Sequence, residues 1–346
     1  MRYWVAGATG FLGRHLVSQL AQRGEQLVAC SRRGGELEGT PIQALDVLDA
    51  EAVAASAQGC DCALIAVGAV SQDPGDAQAL HRVHVQGTQT AMAGLARAGV
   101  SRVVYASTSG TIAISDHDTV FDETAPTPMR FAARWPYYRS KVYAEQEALK
   151  ANKPGFSVST VNPSLLLGPG DYAASSTGDI KLFLEQRIAA IPRGGLSFVD
   201  VRDVASTMID CATRGRAGER YLLTAKNLSV AAFFERLERL TGVPAPKLKL
   251  PAGRALVNEG VRWVNRVTKS WGGSPALDEV RVDMAQHYWY CTADKAIEEL
   301  GFAPRDPAQT LLDTVQDLVA RQAAFPRQGH FATSTGASTR TAFSPS

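Results

Sequence analysis

The sequence predicts an α/β fold, a doubly wound parallel sheet, from three observations. First, the apolar segment Arg2-Tyr3-Trp4-Val5-Ala6 runs straight into the glycine turn Gly7-Ala8-Thr9-Gly10-Phe11-Leu12-Gly13 and then into an amphipathic run from Arg14 to Leu20. Second, short apolar runs alternate with helical patterns as far as residue 162. Third, runs such as Ala63-Leu64-Ile65-Ala66-Val67 are apolar without a polar alternate, as strands buried on both faces must be. Right-handed crossovers then give the Rossmann-type layout, with ligands at the carboxyl ends of the strands.

Element by element, strands are expected at 2–6, 26–31, 42–46, 63–67, 102–106 and 158–162. An Ala-rich helix is expected at 49–58, and a longer one at 77–98, ended by Gly99. After about residue 165 loops and tryptophans become frequent. Residues 166–195 and 225–325 are read as a smaller, discontinuous α+β substrate domain. Residues 196–201 read as a strand returning to the main sheet, so 1–165 with 196–224 form the dinucleotide-binding unit. The stretch 326–346 is rich in Ser, Thr and Gly without apolar period and is expected to be disordered.

Composition excludes several classes. With 36 basic and 34 acidic residues the formal charge is +2, so no global field points to nucleic acid. The five cysteines are odd in number and scattered, as in a reduced interior. Cys60 and Cys62 lack a second Cys/His pair at ligand spacing, so no metal site is expected. The longest apolar stretch, 62–70, is too short for a bilayer, and the glycine motif leaves no room for a signal peptide before it. A cytoplasmic protein with a small-molecule substrate is expected.

A strand, a glycine turn and a helix make a phosphate cradle. Glycines let the backbone approach a pyrophosphate, and the helix start offers free N–H groups and positive dipole. Gly7, Thr9, Gly10, Phe11, Leu12 and Gly13 are the candidate contacts. Strand 26–31 ends in Ser31-Arg32-Arg33, with no carboxylate until Glu36. Guanidinium groups suit a ribose 2′-phosphate, whereas NAD folds usually place an acid there, so NADP is favoured over NAD.

A second motif carries chemistry. Tyr137 and Lys141 in Pro136-Tyr137-Tyr138-Arg139-Ser140-Lys141 stand four apart, on one helix face. An ammonium beside a phenol stabilises phenolate, which suits general acid/base work. Tyr138 is three from Lys141, a poorer match. Ser107-Thr108-Ser109 ends the strand 102–106, on the edge that also holds the glycine turn, where a hydroxyl can bind a substrate oxygen.

These residues, with Val83-His84-Val85-Gln86-Gly87-Thr88, the Val161–Asp171 segment and Phe198-Val199-Asp200-Val201-Arg202-Asp203, resemble the extended short-chain dehydrogenases/reductases over about residues 2–325. The nearest likeness is to the branch of dihydroflavonol-reductase-like, 3β-hydroxysteroid-dehydrogenase-like and hopanoid-associated sugar epimerase enzymes. The resemblance implies Thr108, Tyr137 and Lys141 as the catalytic set, with Thr108 where serine is more usual. It implies Asp46, Val47, Ala66, Val67, Gly68, Pro163 and Ser164 as further cofactor contacts. Ser109 and Leu165 join Thr108 against the substrate, and a homodimer through helices flanking Tyr137 is allowed. His84 stands where the family normally has asparagine; it either bonds through a ring nitrogen or fills the space.

The implied reaction is reversible hydride transfer between the nicotinamide and a carbonyl or secondary alcohol of a hydrophobic or polyhydroxylated substrate. Two alternatives stay open: a sugar or nucleotide-sugar epimerase with retained NAD, and a non-catalytic dinucleotide-binding regulator. Trp263, Trp271, Tyr288, Trp289 and Tyr290 either line a pocket or pack a core. Lys247, Lys249, Arg254, Arg262, Arg266 and Lys269 interleave with apolar residues. That pattern is more often the solvated face of a helix than a peripheral membrane contact.

Overall fold

The computed structural model describes residues 1–188, 190–251, 253–270 and 278–324. Trp271 and the expected tail at 326–346 lie outside the described residues. Eleven strands are formed among the described residues: β1 Arg2–Ala6, β2 Gln26–Ser31, β3 Gly35–Leu37, β4 Thr40–Ala44, β5 Cys62–Ile65, β6 Arg102–Ala106, β7 Ser157–Pro163, β8 Leu165–Leu167, β9 Gly195–Asp200, β10 Arg220–Leu223 and β11 Lys226–Ser229. Eight make the main sheet in the order β10-β7-β6-β5-β1-β2-β4-β3, parallel except for the edge hairpin β3–β4. The order reverses at β1, which creates a crevice at the carboxyl edge between β1 and its neighbours.

The central strands β1, β5 and β6 are near-continuous apolar runs because helices cover both faces. On one face Leu16, Val17 and Leu20 of the first helix pack with Val204, Met208 and Ile209 against the sheet. On the other, Met92, Leu95, Ala144 and Ala148 pack on Val103, Tyr105 and Val158. The Ala-rich helix forms at Ala50–Ser56, its start fixed by Asp49, whose carboxylate accepts from the Glu51 and Ala52 N–H groups.

Two expectations are corrected. Residues 196–201 do not return to the main sheet: β9 is the middle of a separate three-stranded sheet, parallel to β8 and antiparallel to β11. The main-sheet position beside β7 goes instead to β10. A short apolar run specifies a buried strand, not its partner. Phe198 faces Phe183, Phe233 and Leu311 in a third core under the small sheet. The helix expected at 77–98 is not uniform either. It runs as Ala77–His81, a π-helical turn Arg82–Gln86, and Gly87–Arg97.

Of the basic segment, Arg254, Arg262, Arg266 and Lys269 lie in the helix Arg254–Ser270, and Lys247 and Lys249 precede it. Val257 and Val261 turn inward while Leu256 and Trp263 stand exposed, so Trp263 lines no interior pocket. Among the described residues no helix is long and apolar enough to cross a membrane. All five cysteines are free thiols buried in the core.

Candidate active site

Strand register brings the site together. Ala6 is level with Cys30 and Ile65, Ile65 with Tyr105, and Ala106 with Val161. The residues that follow, Gly7, Ser31, Ala66, Ser107 and Asn162, therefore share one edge. The glycine turn is tight. Gly7 has φ +82°, and a Cβ there would lie 2.5 Å from the Ala66 carbonyl oxygen. A Cβ on Gly13 would sit 1.9 Å from the Gly7 oxygen. Gly10 precedes the helix Phe11–Gln22 without a side-chain cap, so the first N–H groups face the turn that Thr9 and Gly10 expose. Leu12 is buried and Phe11 half-buried.

A dinucleotide fits this edge on a further observation. Ser31, Ser107 and Ser164 each carry a buried hydroxyl without a hydrogen-bond partner, at the ends of β2, β6 and β7. Buried hydroxyls are rarely left so, and three along one strand edge suit a polar ligand lying across it. Arg32 and Arg33 are exposed just past Ser31. Asp46 is exposed and Val47 buried after β4, while Ala66 and Val67 border the glycine turn and Gly68 lies against His84. Pro163 ends β7, with Ser164 and the half-buried Leu165 beyond it.

Helix Pro136–Lys150 starts with proline at its first position and carries Tyr137 and Lys141 along the cleft. Lys141 is buried, and its Nζ donates to the Ala106 carbonyl at 2.8 Å and to the Tyr105 hydroxyl at 3.3 Å. Desolvation pulls the ammonium down, but Tyr105, Tyr137 and Glu145 offset it and hold its pKa above the usual lysine value. For Tyr137 the balance differs from the simple expectation. Burial raises the phenol above its ordinary value, and Lys141 opposes that rise without reversing it. Tyr137 is therefore held as a neutral phenol, its proton in place. Tyr138 turns away onto Trp289, at 4.8 Å between ring centroids, in a cluster with Phe131 and Trp135.

Thr108 is half-buried and begins the short turn Ser109–Thr111, its Oγ1 accepting from the Gly110 N–H at 3.3 Å. Its own proton stays available. Ser109 is buried beside it. Two residues here were missed in the sequence. Glu145, one turn beyond Lys141, is buried and accepts from Asn162 Nδ2 at 2.5 Å. Thr111 Oγ1 lies 2.8 Å from both Glu145 Oε2 and the Thr108 carbonyl oxygen, with one proton between them. Arg220 Nη1 stands 3.6 Å from the other Glu145 oxygen. The second is Tyr105. The continuation of the Tyr137–Lys141 spacing to Glu145 was the available signal for the first.

Asp171, at the end of the Val161–Asp171 segment, is buried and accepts from the N–H groups of Ser175, Ser176 and Thr177, so it organises its own loop. Of the aromatic residues, Trp289 joins the Tyr138 cluster, whereas Tyr288 donates to the Arg193 carbonyl.

The sequence profile of the NAD dependent epimerase/dehydratase family matches residues 3–223. The chain belongs to that family. It is an NAD(P)-dependent enzyme of the extended short-chain dehydrogenase/reductase type. A protein named putative dihydroflavonol 4-reductase, from Synechocystis, is 34% identical over 324 residues, covering 90% of this chain and 93% of its own length. A 4-hydroxy-2-methyl-3-oxo-4-farnesyl-3,4-dihydroquinoline-1-oxide ketoreductase from Stigmatella aurantiaca is 32% identical, over 95% of this chain and all of its own. A nucleoside-diphosphate-sugar epimerase from Pseudomonas aeruginosa shares the family fold, with TM-score 0.74 at 22% identity, over 94% of this chain and 99% of that one.

Proposed function

We propose that this family member is an NADP-dependent carbonyl reductase, reversible as an alcohol dehydrogenase, acting on a small, largely hydrophobic substrate. The observation that carries the reading is the end of β2. Arg32 and Arg33 are exposed beside the unpartnered Ser31 hydroxyl, where a 2′-phosphate would be bound by charge and by bidentate geometry. The first carboxylate, Glu36, already belongs to the edge strand β3. Two relatives over nine-tenths of the chain are named as reductases, which supports net reduction.

The remaining cofactor contacts follow the edge. Gly7, Thr9, Gly10, Phe11, Leu12 and Gly13 hold the pyrophosphate, and Asp46 and Val47 the adenosine. Ala66, Val67, Gly68, Pro163 and Ser164 flank the nicotinamide half. When bound, the nicotinamide supplies or takes up the hydride. Thr108 and Tyr137 hydrogen-bond the substrate oxygen, with Ser109 and Leu165 against the substrate body. Tyr137 gives its phenolic proton to that oxygen in reduction and recovers it in oxidation. Lys141 holds the ribose and keeps a positive charge beside the phenol as it loses its proton.

The test is nucleotide titration of the emptied protein. Tighter NADPH than NADH binding is expected, with the Arg32→Ala, Arg33→Ala double variant losing about 10- to 100-fold for NADPH alone, the worth of a hydrogen bond to a charged group. An NAD that co-purifies and does not exchange would overturn the proposal in favour of an epimerase.

A further inference from the structure

His84 is almost fully buried in the π-helical turn, one layer behind Tyr137, whose ring it meets edge-on at 5.7 Å between centroids. Both ring nitrogens are engaged. Nε2 lies 3.0 Å from the Ala69 backbone N, and Nδ1 lies 2.8 Å from Ser140 Oγ. Ser140 Oγ in turn lies 2.7 Å from the Tyr137 carbonyl oxygen.

The donors fix every proton in this chain. The Ala69 N–H can only donate, so Nε2 must offer a lone pair. A ring in that state carries its proton on Nδ1, which donates to Ser140 Oγ. The serine hydroxyl then has its own proton for the Tyr137 carbonyl. A charged imidazolium would set N–H against N–H at Ala69. Burial and the nearby Lys141 ammonium both disfavour charge and push the ring's pKa down to about 3. The backbone is shaped for this placement. In the π-helical turn the Gly87 N–H bonds back to the carbonyls of Arg82 and His84, and the Thr88 hydroxyl also donates to the His84 carbonyl. The far end of the chain is the loop after β5, where Gly68 packs over the ring: a Cβ there would lie 3.6 Å from Nε2.

We propose that His84 is a positioning residue, a neutral imidazole of fixed tautomer that fastens the cofactor-side loop Ala66–Ala69 to the first turn of the helix bearing Tyr137 and Lys141. Its functional meaning rests on the reading of that pair given above, whereas the tautomer does not. The clamp couples nucleotide binding to the placement of the acid/base pair through Ser140.

Two measurements on the full chain test it. Nitrogen-15 NMR of the histidine rings, with His84→Gln to assign the signal, is expected to show a neutral Nδ1–H ring unchanged between about pH 5 and 9, far above its depressed pKa. An Nε2–H ring, or titration within that range, would overturn the proposal. Nucleotide affinity is then compared for His84→Phe, Ser140→Ala and the double variant. Each single change is expected to weaken binding about tenfold, and the double no further than the worse single, because both break one linkage. His84→Gln, whose Oε1 can accept from Ala69, should bind nucleotide better than His84→Phe. Additive losses, unchanged affinity in Ser140→Ala, or the reverse order of the Gln and Phe variants would each overturn the clamp. An inactive Tyr137 variant would leave all these outcomes as they stand.

Discussion

Replacing Glu145 by alanine should destabilise the protein severely although the residue lies outside the proposed cofactor and substrate contacts. Its carboxylate joins three elements: the Pro136–Lys150 helix that bears it, β7 through Asn162, and the turn after β6 through Thr111. Asn162 is itself fully buried, and its Nδ2 has Thr108 O and Thr111 Oγ1 as its other acceptors. The hydrogen bond from Asn162 to a charged acceptor is worth about 1.5–3 kcal/mol. Removing the acceptor also leaves the half-buried Arg220 without its carboxylate, and breaking a buried pair from one side costs about 3–5 kcal/mol in all. A loss near 4 kcal/mol is therefore expected for Glu145→Ala, and about half that for Glu145→Gln, whose carbonyl can still accept from Asn162. Urea unfolding reads both as a lower midpoint at unchanged slope. A loss below about 1 kcal/mol in the alanine variant would refute the reasoning, since it would mean that Thr108 and Thr111 for Asn162, the Glu123 carbonyl for Arg220, and entering water replace the carboxylate in full.

Two further outcomes follow from the geometry. Tyr137→Phe should lower turnover by about 10²- to 10⁴-fold, the usual worth of a positioned acid, while Tyr138→Phe, its ring against Trp289, changes it little; steady-state kinetics of both variants decide between the two tyrosines. Asp200 is buried with Arg202 and Arg305. Burial alone would raise its pKa, but the Arg202 hydrogen bonds and the two guanidinium charges hold it below the ordinary carboxylate value of 3.8. A folded-state pKa lower than the unfolded one means that this stability is present above about pH 4 and is lost as pH falls through the folded value, so the unfolding midpoint should drop steeply there, and Asp200→Asn should flatten the drop.

Much of this organisation was legible in the chain because local chemistry dictates it. The glycine turn reads directly, since Gly7 needs positive φ and Gly13 has no room for a Cβ. Tyr137 and Lys141 read through helical spacing, and Arg32 and Arg33 through their place after a strand. Pairing was not legible. Nothing in 195–200 distinguishes an edge of the main sheet from the centre of a small one, and the three-residue β8 is too short to show a period. The direction of the Tyr137 shift also escaped the sequence, because it is set by how deeply the ring is buried as well as by the lysine. His84 was visible as a departure from a motif, but its two partners lie 15 and 56 residues away along the chain.

Only Ser164 separates β7 from β8, so the strand that floors the cofactor edge and the strand that begins the small sheet are successive lengths of one nearly unbroken rod. For anyone wishing to exchange the substrate-facing part of this enzyme for a relative's, that dictates where to cut. A junction between 163 and 165 would divide the rod beside the proposed nicotinamide site. Splices placed on the helix-side connections, away from the carboxyl edge, would move β8 and its sheet as a unit and leave the alignment of Tyr137 with the nucleotide edge intact.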